Sequence, residues 1–141
     1  MSQSIPQHLI GMKVLSIRQP FASLIAAGIK QIETRSWRTS YRGDLLIHSS
    51  ALFSTKVDMF KARIAVDVTN HAGAFSVSTI LCIARLDDCI PQSRVDWTRY
   101  NEQTEREWGY WQVGHYAWLI SNIRPIEPCR VKGALKLWTL K

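Results

Sequence analysis

The sequence predicts an α+β fold: an antiparallel or mixed barrel-like sheet of about six strands with two or three flanking helices. Two observations carry that expectation. Short runs of alternating or continuously apolar residues recur along the whole chain, as strands do. The helix-like stretches between them are few and short, without the strand–helix–strand rhythm of a parallel α/β protein. At 141 residues, 46% hydrophobic and 21% charged, the chain also has the composition of a globular domain able to bury a core.

Each element follows in order. Residues 1–12 are polar, with Pro6 and Gly11 as breakers, and read as a loose leader to a single domain over 13–141. Val14–Arg18 is a first strand. Gln19–Pro20 then opens an apolar helix, Phe21–Ala27, that ends at Gly28, a residue suited to a helix C-terminus. Alternation from Gln31 gives a second strand, and Leu45–His48 a third after turn residues at 40–44. Phe53, Val57, Phe60, Ile64 and Val68 recur every three or four residues, which predicts an amphipathic helix with those side chains on the core. Val77–Leu86 reads as the central strand, with 87–91 leaving the sheet. His115–Ile123, Cys129–Val131 and Leu135–Trp138 close the chain around a turn at 124–128.

Composition narrows the function classes. No apolar run approaches the ~20 residues of a membrane span. The N-terminus lacks the basic start and apolar core of a signal peptide. Three cysteines, Cys82, Cys89 and Cys129, match no disulfide or zinc spacing, and four scattered histidines outline no metal site. A cytoplasmic protein without metal or cofactor is expected. The net charge of +7 is unevenly placed: residues 1–42 hold six Lys/Arg and one acid, 124–141 hold five and one, and the segment between holds seven and nine. If the two ends meet, they form a basic patch that attracts phosphate.

The densest chemistry lies in Gly28–Ile29–Lys30–Gln31–Ile32–Glu33–Thr34–Arg35–Ser36–Trp37. Strand geometry puts Gln31, Glu33, Arg35 and Trp37 on one face and Ile32, Thr34 and Ser36 on the other. A face of carboxylate, guanidinium and indole makes a poor core surface and a reasonable wall for a polar ligand. The competing reading is an exposed ion pair of little worth. The second concentration is aromatic: Trp97, Tyr100, Trp108, Tyr110, Trp111, Tyr116 and Trp118 crowd 22 positions. Tyr116 and Trp118 suit a core, while Trp108 or Trp111, in an irregular polar segment, suit base stacking.

Gly28-x-Lys30-x-x-Glu33-x-Arg35 resembles the GxKxxExR signature of the ASCH family. Leu15–Ile25, Arg35–Trp37, Tyr41–Gly43, Gly114–Trp118 and Val131–Trp138 resemble further blocks of it, in the branch carried by a transcription coactivator. The likeness runs from about Lys13 to Leu140. It implies a PUA-like β-barrel with a cleft between barrel and first helix, lined by the motif, and a family function in RNA binding. It also implies two enzymatic alternatives, since one branch hydrolyses acetylcytidine and another member cleaves RNA. In the amidohydrolase branch the lysine is kept, but a threonine nucleophile stands where this chain has Glu33, and a later glutamate assists.

The expected function is therefore binding of RNA, single-stranded nucleic acid, or a nucleotide or nucleoside. Lys30, Arg35 and Arg42 would engage phosphate or a base edge, and Glu33 would accept from a base amino group or orient Lys30. Trp37 or an aromatic of 108–111 would stack. Ser36, Gln19, Arg18, Trp108 and Trp111 complete the candidate site, with Lys132 and Lys136 extending its charge. The alternative is a small metal-independent hydrolase of RNA or a modified nucleoside, with Lys30 and Glu33 as catalytic pair and Glu105 as the later acid.

Overall fold

A computed structural model describes residues 5–141. Its framework is one six-stranded mixed sheet in the order β2-β5-β4-β3-β1-β6. The strands are β1 (Lys13–Gln19), β2 (Ile32–Arg35), β3 (Gly43–Phe53), β4 (Thr79–Pro91), β5 (Tyr116–Arg130) and β6 (Leu137–Thr139), with helices α1 (Phe21–Ala26), α2 (Met59–Ala65) and α3 (Glu102–Glu107). The α+β class is as expected. The sheet, however, keeps β2 and β6 as separate edges, so it is open where a barrel was expected.

Alternation divides the core. Leu15, Ile17, Leu45 and Ile47 face a main cluster shared with α1 and Trp118. Val14 and Leu46 face a second cluster with Leu9, Ile80, Cys129 and Leu140. Leu9 ties down the supposed leader. It sits in a short 3-10 turn, Gln7–Leu9, is fully buried, and is followed by Gly11, whose N–H donates to the Leu140 carbonyl at 2.7 Å. Residues 1–4 of that leader lie outside the described residues. Cys82 is the buried small hydrophobe expected, its thiol pushed up to about 12 by burial.

β1 runs parallel to β3 and antiparallel to β6, which brings the two ends of the chain side by side. Helix α1 makes the return from β1. Gln19 serves it, its Oε1 accepting the Ser23 N–H at 3.0 Å while its Nε2 donates to the Ser76 carbonyl. At the other end Gly28 takes φ +78°, and the Leu24 carbonyl accepts from both Ile29 and Lys30 N–H. That left-handed stop aims the chain into β2.

Three elements depart from the periodic reading. β4 and β5 are longer than expected, because the segments 87–91 and 124–128 continue the ladder. Three register shifts along it absorb the irregular sequence. Pro125 and Pro128 are tolerated because β2 pairs only with Tyr116–Leu119, leaving the far part of β5 as an edge. Helix α2 is shorter and turned over. Asp58 caps it, accepting from Phe60 and Lys61 N–H, and Ala62 and Val66 are its buried face with Val57 and Met59 beside them. Phe60 is 73% and Ile64 70% exposed, and Val68 is exposed too. The segment carries two apolar stripes, and the one holding Ala62 and Val66 packs into the main core cluster. Phe60→Lys or Ile64→Lys should therefore change the free energy of unfolding by less than about 0.5 kcal/mol in urea titrations. Ala62→Leu should cost roughly 1–3 kcal/mol by overpacking.

Candidate nucleic-acid interface

A hollow of about 610 Å³ opens where the end of β1 meets β2, the end of β3 and the segment before β6. Ser16, Ile17 and Arg18 reach it from β1, Glu33, Thr34 and Arg35 from β2, and Phe21 from α1. Ser50, Leu52 and Ser54–Lys56 line it from β3 and the connection to α2, Tyr110 from the loop after α3, and Ala134–Lys136 from the strap before β6. Arg18, Arg35, Lys56 and Lys136 thus face it together with a single carboxylate, Glu33. Arg18 and Arg35 come from the basic N-terminal stretch and Lys136 from the basic C-terminal one, so those two ends do meet.

Glu33 and Arg35 form the ordered centre of the wall. Antiparallel pairing sets Glu33 opposite Trp118 and Arg35 opposite Tyr116. Arg35 Nε donates to Glu33 Oε2 at 3.1 Å, and its Nη2 donates to the Ser16 carbonyl at 2.7 Å. Glu33 Oε1 accepts the Thr34 N–H at 3.2 Å. The carboxylate is buried and the guanidinium half-buried, so this pair is better sheltered than a solvated surface pair. Thr34 joins the hollow although strict alternation sends it to the opposite face; its Oγ1 accepts the Tyr110 N–H at 2.9 Å.

Lys30 does not line this hollow. It is 1% exposed, and its ammonium donates to the Ile32 carbonyl and lies 5.7 Å from the Phe21 ring. Burial pushes its pKa below the ordinary lysine range, with Glu33 and Glu105 opposing the shift. Among the described residues its ammonium makes no ion pair within 4 Å, so the expected Lys30–Glu33 pair is not assembled at the hollow. Glu105 is buried as well. Its two oxygens accept the Gln31 and Ile32 N–H groups at 3.0 and 3.1 Å, which fastens α3 to the start of β2. Desolvation raises its pKa against those hydrogen bonds and the nearby lysine.

The other candidates scatter. Gln19 is fully buried as the brace of α1 described above. Arg42 pairs with Asp88 at 3.0 Å, away from the hollow, and Ser36 is exposed outside it. Trp37 packs edge-on against Trp118, centroids 4.8 Å apart. Trp108 is 4% exposed in the main core, and Trp111 gives its indole N–H to the Glu105 carbonyl at 2.9 Å. Neither Trp108 nor Trp111 offers a face to the hollow. Lys132 lies outside its lining as well. Sequence reasoning passed over Lys56, Leu52 and Leu135, which no local pattern marks. Of the stretch 108–111, Tyr110 is the residue that reaches the hollow, where Phe21 is the other aromatic of the lining.

Beneath the strap lies a polar chain. Trp138 Nε1 donates to Ser16 Oγ at 3.0 Å, and Ser16 Oγ lies 2.9 Å from His48 Nδ1. His48 Nε2 is 2.7 Å from the Val131 carbonyl, which can only accept, so Nε2 carries the proton and Nδ1 accepts from Ser16. Gly133 crosses directly above; a Cβ there would stand 2.5 Å from His48 Cε1 and 2.9 Å from Ser16 Oγ. His48 therefore sets the height of the strap that carries Leu135 and Lys136.

A model of the ASCH domain family matches residues 15–130. The chain belongs to the ASCH domain family. Human activating signal cointegrator 1 is 54% identical over 49 residues, 35% of this chain, and its mouse counterpart 58% over 45 residues, 32% of this chain; in each case the match spans 8% of the relative's length. The crystal structure of an ASCH protein from Zymomonas mobilis superposes with a TM-score of 0.56 at 17% identity, covering 92% of this chain and 87% of that one. That likeness speaks for the fold, which is PUA-like and associated in this family with RNA binding.

Two outcomes test the buried contacts. Glu105→Ala, which strips the acceptors from two backbone donors, should lower stability by roughly 2–4 kcal/mol in urea unfolding. Burial lowers the pKa of His48 from 6.5. The folded state thus binds fewer protons there than the unfolded one, and His48 contributes stability above 6.5 that is lost as pH falls below it. Thermal unfolding should show a fall in Tm between pH 7.5 and pH 5, and a His48→Gln variant, already less stable, should show a smaller one.

Proposed function

We propose that residues 13–141 act as an RNA-binding module that takes splayed, single-stranded nucleotides into the hollow between β1, β2 and the strap before β6. The observation that carries the reading is convergence: Arg18, Arg35 and Lys136, from opposite ends of the chain, face one recess together with Lys56. Arg18 has no carboxylate partner among the described residues, which leaves its guanidinium free for phosphate. Arg35 is held by Glu33 and Ser16, so its fork is fixed before a ligand arrives. Glu33 supplies the acceptor for a base amino group, since each carboxylate oxygen can accept more than the one hydrogen bond recorded for it. Leu52 and Leu135, the latter 90% exposed, form an apolar lip against which a base can lie. A recess with an apolar rim and inward-facing cations suits splayed bases better than a duplex, whose bases are stacked away. The cytoplasm is the compartment proposed, as free thiols prefer it.

Fluorescence anisotropy with a labelled single-stranded RNA of eight nucleotides and its duplex tests this. The single strand should bind more tightly than the duplex. Arg18→Ala and Lys136→Ala should each weaken it roughly 3- to 10-fold, about 0.7–1.4 kcal/mol. Each should also reduce the slope of log K against log salt by about 0.7. Equal affinity for both RNAs, with slopes unmoved by either substitution, would defeat the assignment.

A further inference from the structure

We propose that Tyr110 is the stacking surface of the hollow and that Lys56 occupies its ring until a nucleotide displaces it, whereupon the same ammonium pairs with the phosphate of that nucleotide. The inference rests on the RNA-binding reading and names two residues that the motif does not contain.

Tyr110 is built as a platform. Its N–H donates to Thr34 Oγ1 at 2.9 Å and its carbonyl accepts from Gln92 Nε2 at 2.8 Å, so the backbone is pinned on both sides. Gly109 before it has no room for a side chain: a Cβ would stand 2.9 Å from Trp111 Nε1 and 3.1 Å from the Glu105 carbonyl. The ring itself is left out in the open, the residue being 41% exposed at the hollow. Its neighbours in sequence are committed elsewhere, Trp108 to the core and Trp111 to Glu105 and to the Arg106 guanidinium 5.2 Å from its ring.

Lys56 covers that open ring, its Nζ 4.9 Å from the centroid. It comes from the exposed connection between β3 and α2 and has no carboxylate partner among the described residues. A cation resting on an exposed ring is held more weakly than a stacked base. The exchange is therefore downhill, and it leaves an unpaired ammonium beside the sugar–phosphate of the base that has moved in. Lys56 should then oppose a bare nucleoside and favour a nucleotide.

The test compares adenosine with single-stranded hexa-adenylate, by NMR titration and anisotropy, on the full chain. Lys56→Met keeps the stem and removes the charge. It should bind adenosine about 2- to 5-fold more tightly and hexa-adenylate about 3- to 10-fold more weakly. Tyr110→Leu should weaken both at least tenfold, and Tyr110→Trp, with a larger ring, should tighten both. The inference is overturned if Lys56→Met shifts the two probes in the same direction, or if Tyr110→Leu and Tyr110→Trp leave hexa-adenylate binding unmoved while Arg18→Ala still weakens it. That last outcome retains the RNA-binding reading. Failure of the unsubstituted protein to bind hexa-adenylate at low salt overturns both.

Discussion

Burying an ammonium is costly, and this fold does so at the start of its motif strand. Lys30 is withdrawn from solvent, donates a hydrogen bond to the Ile32 carbonyl, and feels the opposing charges of Glu33 and Glu105 without an ion pair to either within 4 Å. Neither acid is free to wander. Glu105 is fixed by the Gln31 and Ile32 N–H groups at the entry to β2, and Glu33 by Thr34 and Arg35. The lysine thus sits near two acids that are themselves hydrogen-bonded along the start of β2. Removing either acid deprives the buried ammonium of a charge that partly offsets its desolvation. β2 is only four residues long and lies at the sheet edge, where four ladder positions alone would hold it weakly. Glu105 at its start and the Glu33–Arg35–Ser16 hydrogen bonds farther along add to that ladder.

The parallel pairing of β1 with β3 and the closing position of β6 have a related consequence for charge. A basic N-terminal stretch and a basic C-terminal stretch are remote in sequence, yet β6 lies directly against β1. Their cations repel, and a fold that gathers them accepts that cost unless something negative offsets it. Within the lining, one carboxylate faces four cations. The remaining imbalance is a standing attraction for an anion.

The fold class and the sheet's principal strands were legible because their signals are local: alternation, apolar runs, and the glycine that stops α1. Glu33, Arg35 and Arg18 were legible at the hollow for the same reason, since charged residues on a short strand must face something polar. Lys30 was not, because a buried lysine and an exposed one look identical in sequence; only the distant Glu105, more than seventy residues on, reveals the difference. The same holds for Gln19, whose amide is spent on a helix and a turn. Tryptophans misled in the opposite direction. Trp108 and Trp111 sit in a polar stretch, but indole has more area to bury than any other side chain, and the core took Trp108 while Trp111 was left holding α3. α2 deceived because Met59, Ala62 and Val66 form a second apolar stripe beside Phe60, Ile64 and Val68, and periodicity cannot choose between two stripes only one or two residues apart.

The lone acid in a cationic recess is best understood through the guanidinium beside it. An unheld arginine at a ligand site loses side-chain entropy whenever it binds. Glu33 removes that loss by holding Nε of Arg35, and the Ser16 carbonyl holds Nη2, so two of the fork's donor atoms are committed to the protein and Nη1 is left without a partner among the described residues. Glu33 lowers the net charge of the recess by one, which weakens non-specific attraction. In return it fixes one donor in a set direction and places an acceptor next to it. A phosphate-binding surface needs only positive charge; a donor and an acceptor held side by side recognise the edge of a base. Such a pair stands here behind an apolar lip of Leu52 and Leu135, with Arg18, Lys56 and Lys136 supplying the surrounding positive charge.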